Sequence, residues 1–427
     1  MMLRIILLIS VFVCGSAAAK PLITSSEDTA ARACLAYADT PDRLIRLCQQ
    51  ALDGGNLTQS ERAQLMNTLG DAHLDQGDHK KAEETYRSIL EQAPLNVPAL
   101  AGLGWALRSQ DRDEEALQAF QTAFDIDPRD EVLAGLGQMT FETGGDPDIA
   151  LQYLDGAIAV TPNYDWAIRS KGWIYRDIGR LEDAEQAFRR ALDLNGLDEN
   201  ALYGLARVLN DLGQNDEALL MINEAVALDP DYAWYYAQRS AILRNLGRNA
   251  QAVVDADKTI ELLPGDSEGY VQKSRALIGL ARRGDALDAL KGVKVHARDS
   301  YFYYWYSDVL ARDLQYDKAL LMIDNSIELA PEDHWGHIQK AFIALQLENY
   351  DLALVHGAEA ARLDGTNAYG FFYTATALVY LDRLDEAYVQ LDLAVAADLD
   401  EDRIGDFAQD LIAAGYLRDA ILLRLKY

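Results

Sequence analysis

Eleven alanines set a beat along the chain. Ala82, Ala116, Ala150, Ala184, Ala218, Ala252 and Ala286 stand 34 residues apart without exception. Ala319, Ala353, Ala387 and Ala420 continue the row after a one-residue deletion near 287–300 and another near the end. Pro94, Pro128, Pro162, Pro230, Pro264 and Pro331 follow their alanines by twelve residues. A row of small residues precedes them: Gly70, Gly104, Gly172, Ala206, Ser240, Ser274, Ser307, Ala341, Ala375 and Ala408, broken by Gln138. A period of this length means one supersecondary unit copied many times. A single copy cannot bury its apolar face alone, so neighbours must stack.

Each unit reads as two amphipathic helices of about twelve residues, broken by turns such as "DQGDH", "DLGQN" and "YLDRLD". Leu202, Leu205 and Leu209 illustrate the apolar spacing of a first helix. Small residues let the paired helices approach, and Pro stops the second helix because it cannot continue the hydrogen-bond ladder. "LGDAHLDQGDHKKAEETYRSILEQAP" and "LGWALRSQDRDEEALQAFQTAFDIDP" closely resemble the tetratricopeptide repeat, and the resemblance runs over about 63–427. It implies an all-α, right-handed α-solenoid superhelix with a concave inner surface. About ten repeats are expected over 63–400, starting near Ala63, Val97, Glu131, Asp165, Glu199, Ala233, Ser267, Ser300, His334 and Ala368. A helix pair over 401–427 closes the stack, and 20–62 forms an N-terminal helical cap. Thr58 and Glu61 have the spacing of a capping box at the first full repeat.

The N-terminus reads as a secretory signal over 1–19. Arg4 is followed by an apolar run from Ile5 to Val13 and an Ala-x-Ala end at Ala19, giving a mature start at Lys20. A retained anchor is the alternative. A lipoprotein fits less well, since Val11-Phe12-Val13 before Cys14 is not the usual small-residue context. Export makes Cys34 and Cys48, on two short helices joined at Thr40-Pro41, natural disulfide partners. Two reduced, buried thiols are the alternative. The mature protein is expected to be periplasmic or secreted, with no membrane insertion after signal cleavage.

Thirty-nine Lys and Arg stand against 68 Asp and Glu, a net charge of −29. That balance argues against nucleic-acid binding, which needs a basic face, and against docking on anionic lipid. Three Cys and six His are few for a metal cluster. His334 and His337, near Glu332 and Asp333, offer no evident third ligand, and no metal or cofactor is expected. Gly102-x-Gly104 and Gly135-x-Gly137 lack the strand and third Gly of a phosphate loop and follow from the repeat. Asn56-Leu57-Thr58 matches a glycosylation acceptor, which carries little meaning in a bacterium. No nucleophile, triad or paired-carboxylate signature stands out, so no catalytic residue is expected and the chain reads as non-enzymatic.

Counted from each repeat start, the second, fifth, ninth and twelfth positions lie opposite the core-facing side of the first helix. Trp105 and Trp173 are ninth; Trp166, Trp234 and Trp335 are second; Trp305 lies elsewhere, in "YFYYWY". Arg108, Arg169, Arg176, Arg207, Arg244 and Arg275 share the groove positions, against Glu142 and Glu268 in the same repeats. Asp71 and Asp308 in repeats one and eight, and Asp75, Asp177 and Asp211 at the thirteenth position, edge the stripe with acid; Arg312 also holds a thirteenth position. Tyr203, Tyr301, Tyr304, Phe342, Tyr369 and Phe372 add aromatic surface. The pattern points to a ligand groove for a protein or an extended acidic peptide. The alternative is structural: large residues fill a tight superhelix while Arg stacks on them or pairs with the acidic rim. A further alternative is a periplasmic scaffold for polysaccharide assembly or export. Gly292, the missing residue and the missing Pro mark 287–300 as a weak joint.

Overall fold

The computed structural model describes residues 29–36, 40–54 and 57–426. The signal segment 1–19, the start at Lys20 and the Asn56 motif residue lie outside the described residues. Every regular element described is helical, and the chain divides into two compact units between Gln214 and Asn215, inside the repeat that begins at Glu199. Among the described residues no helix is long and apolar enough to cross a membrane.

The first unit opens with helices Thr29–Leu35 and Pro41–Asp53. A disulfide joins Cys34 to Cys48, with their Cα atoms 5.0 Å apart. Thr58 then caps Gln59–Asp75: its hydroxyl accepts from the Glu61 N–H at 3.2 Å, and the Glu61 carboxylate accepts from the Thr58 N–H at 2.9 Å. First helices follow at Val97–Arg108, Asp130–Glu142, Asp165–Asp177 and Glu199–Asp211. Second helices lie at His79–Gln92, Asp113–Ile126, Pro147–Val160 and Leu181–Leu194. The repeat start expected near Ala63 comes earlier, at Gln59, because the Thr58 cap sets the helix boundary.

The small-residue rows exist because aromatic rings fill the seams. Tyr86 lies between Gly70 and Gly102, so that a Cβ on either glycine would come within 2.6 and 2.3 Å of its ring. Phe120 sits in the same way between Gly104 and Gly135, at 2.6 and 2.2 Å. The Gly-x-Gly pairs are therefore helix-packing positions. Glycine weakens a helix by up to about 1 kcal/mol, and the buried ring that it admits offsets that cost.

The second unit holds the helix Asn215–Leu228 and the pairs Ala233–Asn245 with Asn249–Leu262, Glu268–Gly279 with Arg283–Lys291, and Ser300–Arg312 with Tyr316–Leu329. The pairs His334–Gln346 with Tyr350–Leu363, Ala368–Tyr380 with Leu384–Ala396, and Glu401–Ala413 with Leu417–Lys426 complete it. Serines here replace the glycines: Ser240 Oγ donates to the Ala252 carbonyl at 2.8 Å and Ser307 Oγ to that of Ala319 at 2.9 Å. The deletion falls where expected. Arg283–Lys291 has 9 residues against 14 in Tyr316–Leu329, and a 3-10 turn, Val295–Ala297, follows it. Arg298 ties that link by donating twice to the Val293 carbonyl, at 3.2 and 3.1 Å.

Within each unit, successive first helices touch and successive second helices do not. The first helices therefore line the inner side of each curve, where the chain path is shorter.

Candidate functional site

The inner face of the first unit is largely self-satisfied. Trp105 is buried edge-on against Phe120 and Trp166, at centroid distances of 4.9 and 5.1 Å. Arg108 lies over Trp105 at 5.9 Å and forks onto Glu142, one repeat on, with two bonds of 2.6 Å. Arg169 is buried in an ion pair with Asp198, whose other oxygen caps Glu199–Asp211 by accepting from the Ala201 N–H at 2.9 Å. Arg176 donates to Asp211 at 3.0 Å; burial and then the neighbouring Arg207 hold its guanidinium below the usual range.

These contacts correct part of the expected groove. Trp105, Trp166, Arg169 and Tyr203 are buried and hold the seam between repeats, and Arg108 and Arg176 are bound to carboxylates of the next repeat. The guanidinium fork meets a carboxylate bidentately at Glu142, so the repeat itself already uses that chemistry. Arg207 differs. It lies 5.7 Å from the Trp173 ring and 5.6 Å from the Tyr203 ring, and among the described residues no carboxylate is at ion-pair distance from it. Trp173 is half-buried, edge-on to Phe188, and its indole N–H has no partner among the described residues.

The second unit carries the more open cationic site. Arg275 stacks on Trp305, 3.8 Å from the ring centroid, and reaches the Tyr301 hydroxyl. Arg244 is half-buried, its Nε has no hydrogen-bond partner, and burial followed by repulsion from Arg275 pushes its guanidinium down to about 10. Among the described residues neither guanidinium has a carboxylate at ion-pair distance. Burial raises the Tyr301 hydroxyl as well, and pushes that of Tyr304 up to about 12. Tyr304 packs edge-on to Trp305 at 5.2 Å. Trp234 is half-buried, while Trp335 is 46% exposed.

Trp305 is the residue that positional counting missed. It occupies the sixth position of its repeat, yet it supplies the platform for Arg275. The aromatic run around it offered no way to single it out. The two histidines weighed for metal binding diverge: His337 bonds His356 at 2.9 Å and the Pro331 carbonyl at 3.1 Å, whereas His334 faces Asp364 at 3.5 Å.

The fold and this inner face define an all-α repeat scaffold built from helix-turn-helix pairs. A tetratricopeptide-repeat family model matches residues 67–131 and 169–233. Cellulose synthase operon protein C of Komagataeibacter xylinus is 31% identical over 155 residues, 36% of this chain and 9% of that protein. Anaphase-promoting complex subunit 3 of Schizosaccharomyces pombe is 22% identical over 184 residues, 43% of this chain and 27% of that protein. The matches thus span less than a third of either relative. The crystal structure of yeast Tom70 shares the fold at 16% identity, with a TM-score of 0.51 over 92% of this chain and 96% of that one. The family matches show tetratricopeptide repeats over 67–131 and 169–233, and the same helix pairing continues through the rest of the described chain.

Proposed function

We propose that the chain is an exported, non-enzymatic scaffold that holds an extended acidic segment of a partner protein on its inner face. One observation carries this reading. Arg244 and Arg275 repel one another in a half-buried setting, with no carboxylate at ion-pair distance among the described residues. Partly desolvated like charges are costly, and a bound anion would relieve them. The stack on Trp305 pre-organises Arg275 for such a contact. Arg207, fixed between Trp173 and Tyr203, offers a similar point in the first unit. The leader-like N-terminus and the Cys34–Cys48 disulfide support export into an oxidising compartment.

The test is partner capture from a periplasmic extract with the mature protein as bait, followed by mass spectrometry. The Arg244→Ala/Arg275→Ala variant should stay helical and lose the acidic partner. Capture of the same partners by both proteins overturns the reading.

A second reading is a scaffold in polysaccharide assembly or export. The similarity to cellulose synthase operon protein C and the exposed Trp335 indole favour it. Binding of a neutral glycan that is lost with Trp335→Ala and indifferent to salt would select this reading over the acidic peptide.

A further inference from the structure

The inner face changes character after Arg275. At the second, fifth, ninth and twelfth positions of repeats eight to ten, Asp308 is the one charged residue, and Arg312 pairs with it at 2.7 Å. Aromatic side chains take over. Tyr304 packs edge-on to Trp305, the ring on which Arg275 stacks, at 5.2 Å. Tyr373 packs against Phe342 at 6.1 Å and against Tyr369 at 6.3 Å. Tyr304, Phe342 and Tyr373 stand on three successive first helices, Ser300–Arg312, His334–Gln346 and Ala368–Tyr380, and all three are half-buried.

Repeat packing does not require these rings. The position of Phe342 holds Asp71, Arg207 and Ala241 in other repeats, and that of Tyr373 holds Thr68, Gly204 and Gln238. Tyr304 and Tyr373 close on the same space. Their helices are two repeats apart and do not pack together, yet the Tyr373 hydroxyl is near enough to act on that of Tyr304. Such an approach needs the inside of a curve. Burial pushes both hydroxyls up to about 12, and neither has a hydrogen-bond partner among the described residues.

We propose that Tyr304, Phe342 and Tyr373 form a second subsite of the inner face, which takes an aromatic side chain from the same extended segment whose acidic residue meets Arg244 and Arg275. The inference rests on the inner-face reading and gives the partner an acid-plus-aromatic signature. Rings in edge-on and tilted contact leave faces and edges open to one more ring. The unpartnered tyrosine hydroxyls can donate to main-chain carbonyls that an extended segment leaves unpaired. The aromatic surface also continues from Arg275 through Trp305 without a gap, so one segment reaches both subsites. Successive first helices touch here, and packed helices stand about 8–10 Å apart. An extended chain advances about 3.3 Å per residue, so one repeat takes about three residues. The patch centres on Phe342, two repeats beyond Arg275. The aromatic residue therefore belongs about three to six residues from the acid.

The test uses the full mature chain and a labelled glutamate-rich peptide joined to one Phe through four Gly or Ser residues. Both chain directions are made, each with a control that carries Ser in place of Phe, and anisotropy is read near physiological salt. In at least one direction the Phe peptide should bind at least about tenfold tighter than its control. Phe342→Ala/Tyr373→Ala should erase that difference and leave the affinity of the control as it was. Arg244→Ala/Arg275→Ala should weaken both peptides. Benzoylphenylalanine in place of Phe should cross-link within 300–380, which locates the subsite on the unaltered protein if the aromatic double variant unfolds. Equal, arginine-dependent binding of the Phe peptides and their controls overturns the subsite and leaves the acidic reading standing; no binding of either overturns both. Cross-links confined to residues outside 300–380 overturn the subsite. So does a neutral glucan oligosaccharide that displaces the Phe peptide and spares the control.

Discussion

Arg169 and Asp198 form an ion pair nearly closed to water, with side chains 10% and 4% exposed. Because Asp198 also caps Glu199–Asp211, the pair locks one repeat to the next. Removing one member of a buried pair typically costs about 3–5 kcal/mol, since the other charge is left uncompensated. Arg169→Ala should therefore lower the melting temperature clearly. Arg244→Ala removes a guanidinium that repels Arg275 and pairs with no carboxylate among the described residues, and should cost less than about 1 kcal/mol. Circular dichroism melts of the two variants separate a structural arginine from a binding one; equal losses would contradict the assignment.

Leu314 occupies a helix-to-helix turn at φ +59, a place held by Gly213 at φ +75 and Gly247 at φ +72 in other repeats. A left-handed conformation costs a non-glycine residue about 1–2 kcal/mol, partly offset by the larger entropy that glycine loses on folding. Its side chain is 69% exposed, so little packing is lost on substitution. Leu314→Gly should stabilise the protein by up to about 1 kcal/mol and Gly213→Ala should destabilise it by about as much, as read by thermal melts.

Burial first, and then mutual repulsion, pushes the Glu131 carboxyl up to about 7; burial pushes Asp71 up to about 6 although the Tyr86 hydroxyl donates to it at 2.6 Å. A carboxyl raised on folding binds more protons in the folded state than in the unfolded one between its two pKa values. Stability should therefore fall as pH rises from about 4 to about 7. Glu131→Gln should flatten this slope, matching wild type near pH 4 and exceeding it near pH 8. A melting profile with the same slope in both proteins would contradict the assignment.

The Cys34–Cys48 disulfide closes a loop between residues 14 apart in the sequence, in the N-terminal cap. Chain entropy assigns such a loop about 3 kcal/mol. Free-thiol labelling of unreduced, denatured mature protein should find no reactive cysteine, and Cys34→Ala/Cys48→Ala should melt the cap at lower temperature.

The first-helix starts at Val97, Asp165 and Ala233, the Thr58 cap and the shortened stretch near 287–300 were legible because each is local or follows from the 34-residue beat, whereas the start expected near Ala63 was misplaced by four residues. The fate of the arginines was not legible. Arg108 meets Glu142 and Arg176 meets Asp211, each in the following repeat, and Arg169 meets Asp198, the cap of the following repeat's first helix, at separations of 34, 35 and 29 residues. Such pairings depend on how one helix is rotated against the next, which a single-helix wheel does not contain. Asp198 was hidden further by its role as a cap. Trp305 escaped because five tyrosine and phenylalanine neighbours offered equivalent aromatic surface.

The most direct measurement of inner-face binding is a titration of the full mature chain with a short glutamate-rich peptide, read by tryptophan fluorescence at several salt concentrations. Charge-assisted contacts of about 1.5–3 kcal/mol each, less the ordering of an extended chain, fit a micromolar Kd. The account predicts such binding, weakened by salt, with Arg275→Ala and Arg244→Ala each costing at least about tenfold and Lys318→Ala on a second helix costing nothing. No saturable binding, or equal affinity in wild type and the Arg244→Ala/Arg275→Ala variant, would contradict it.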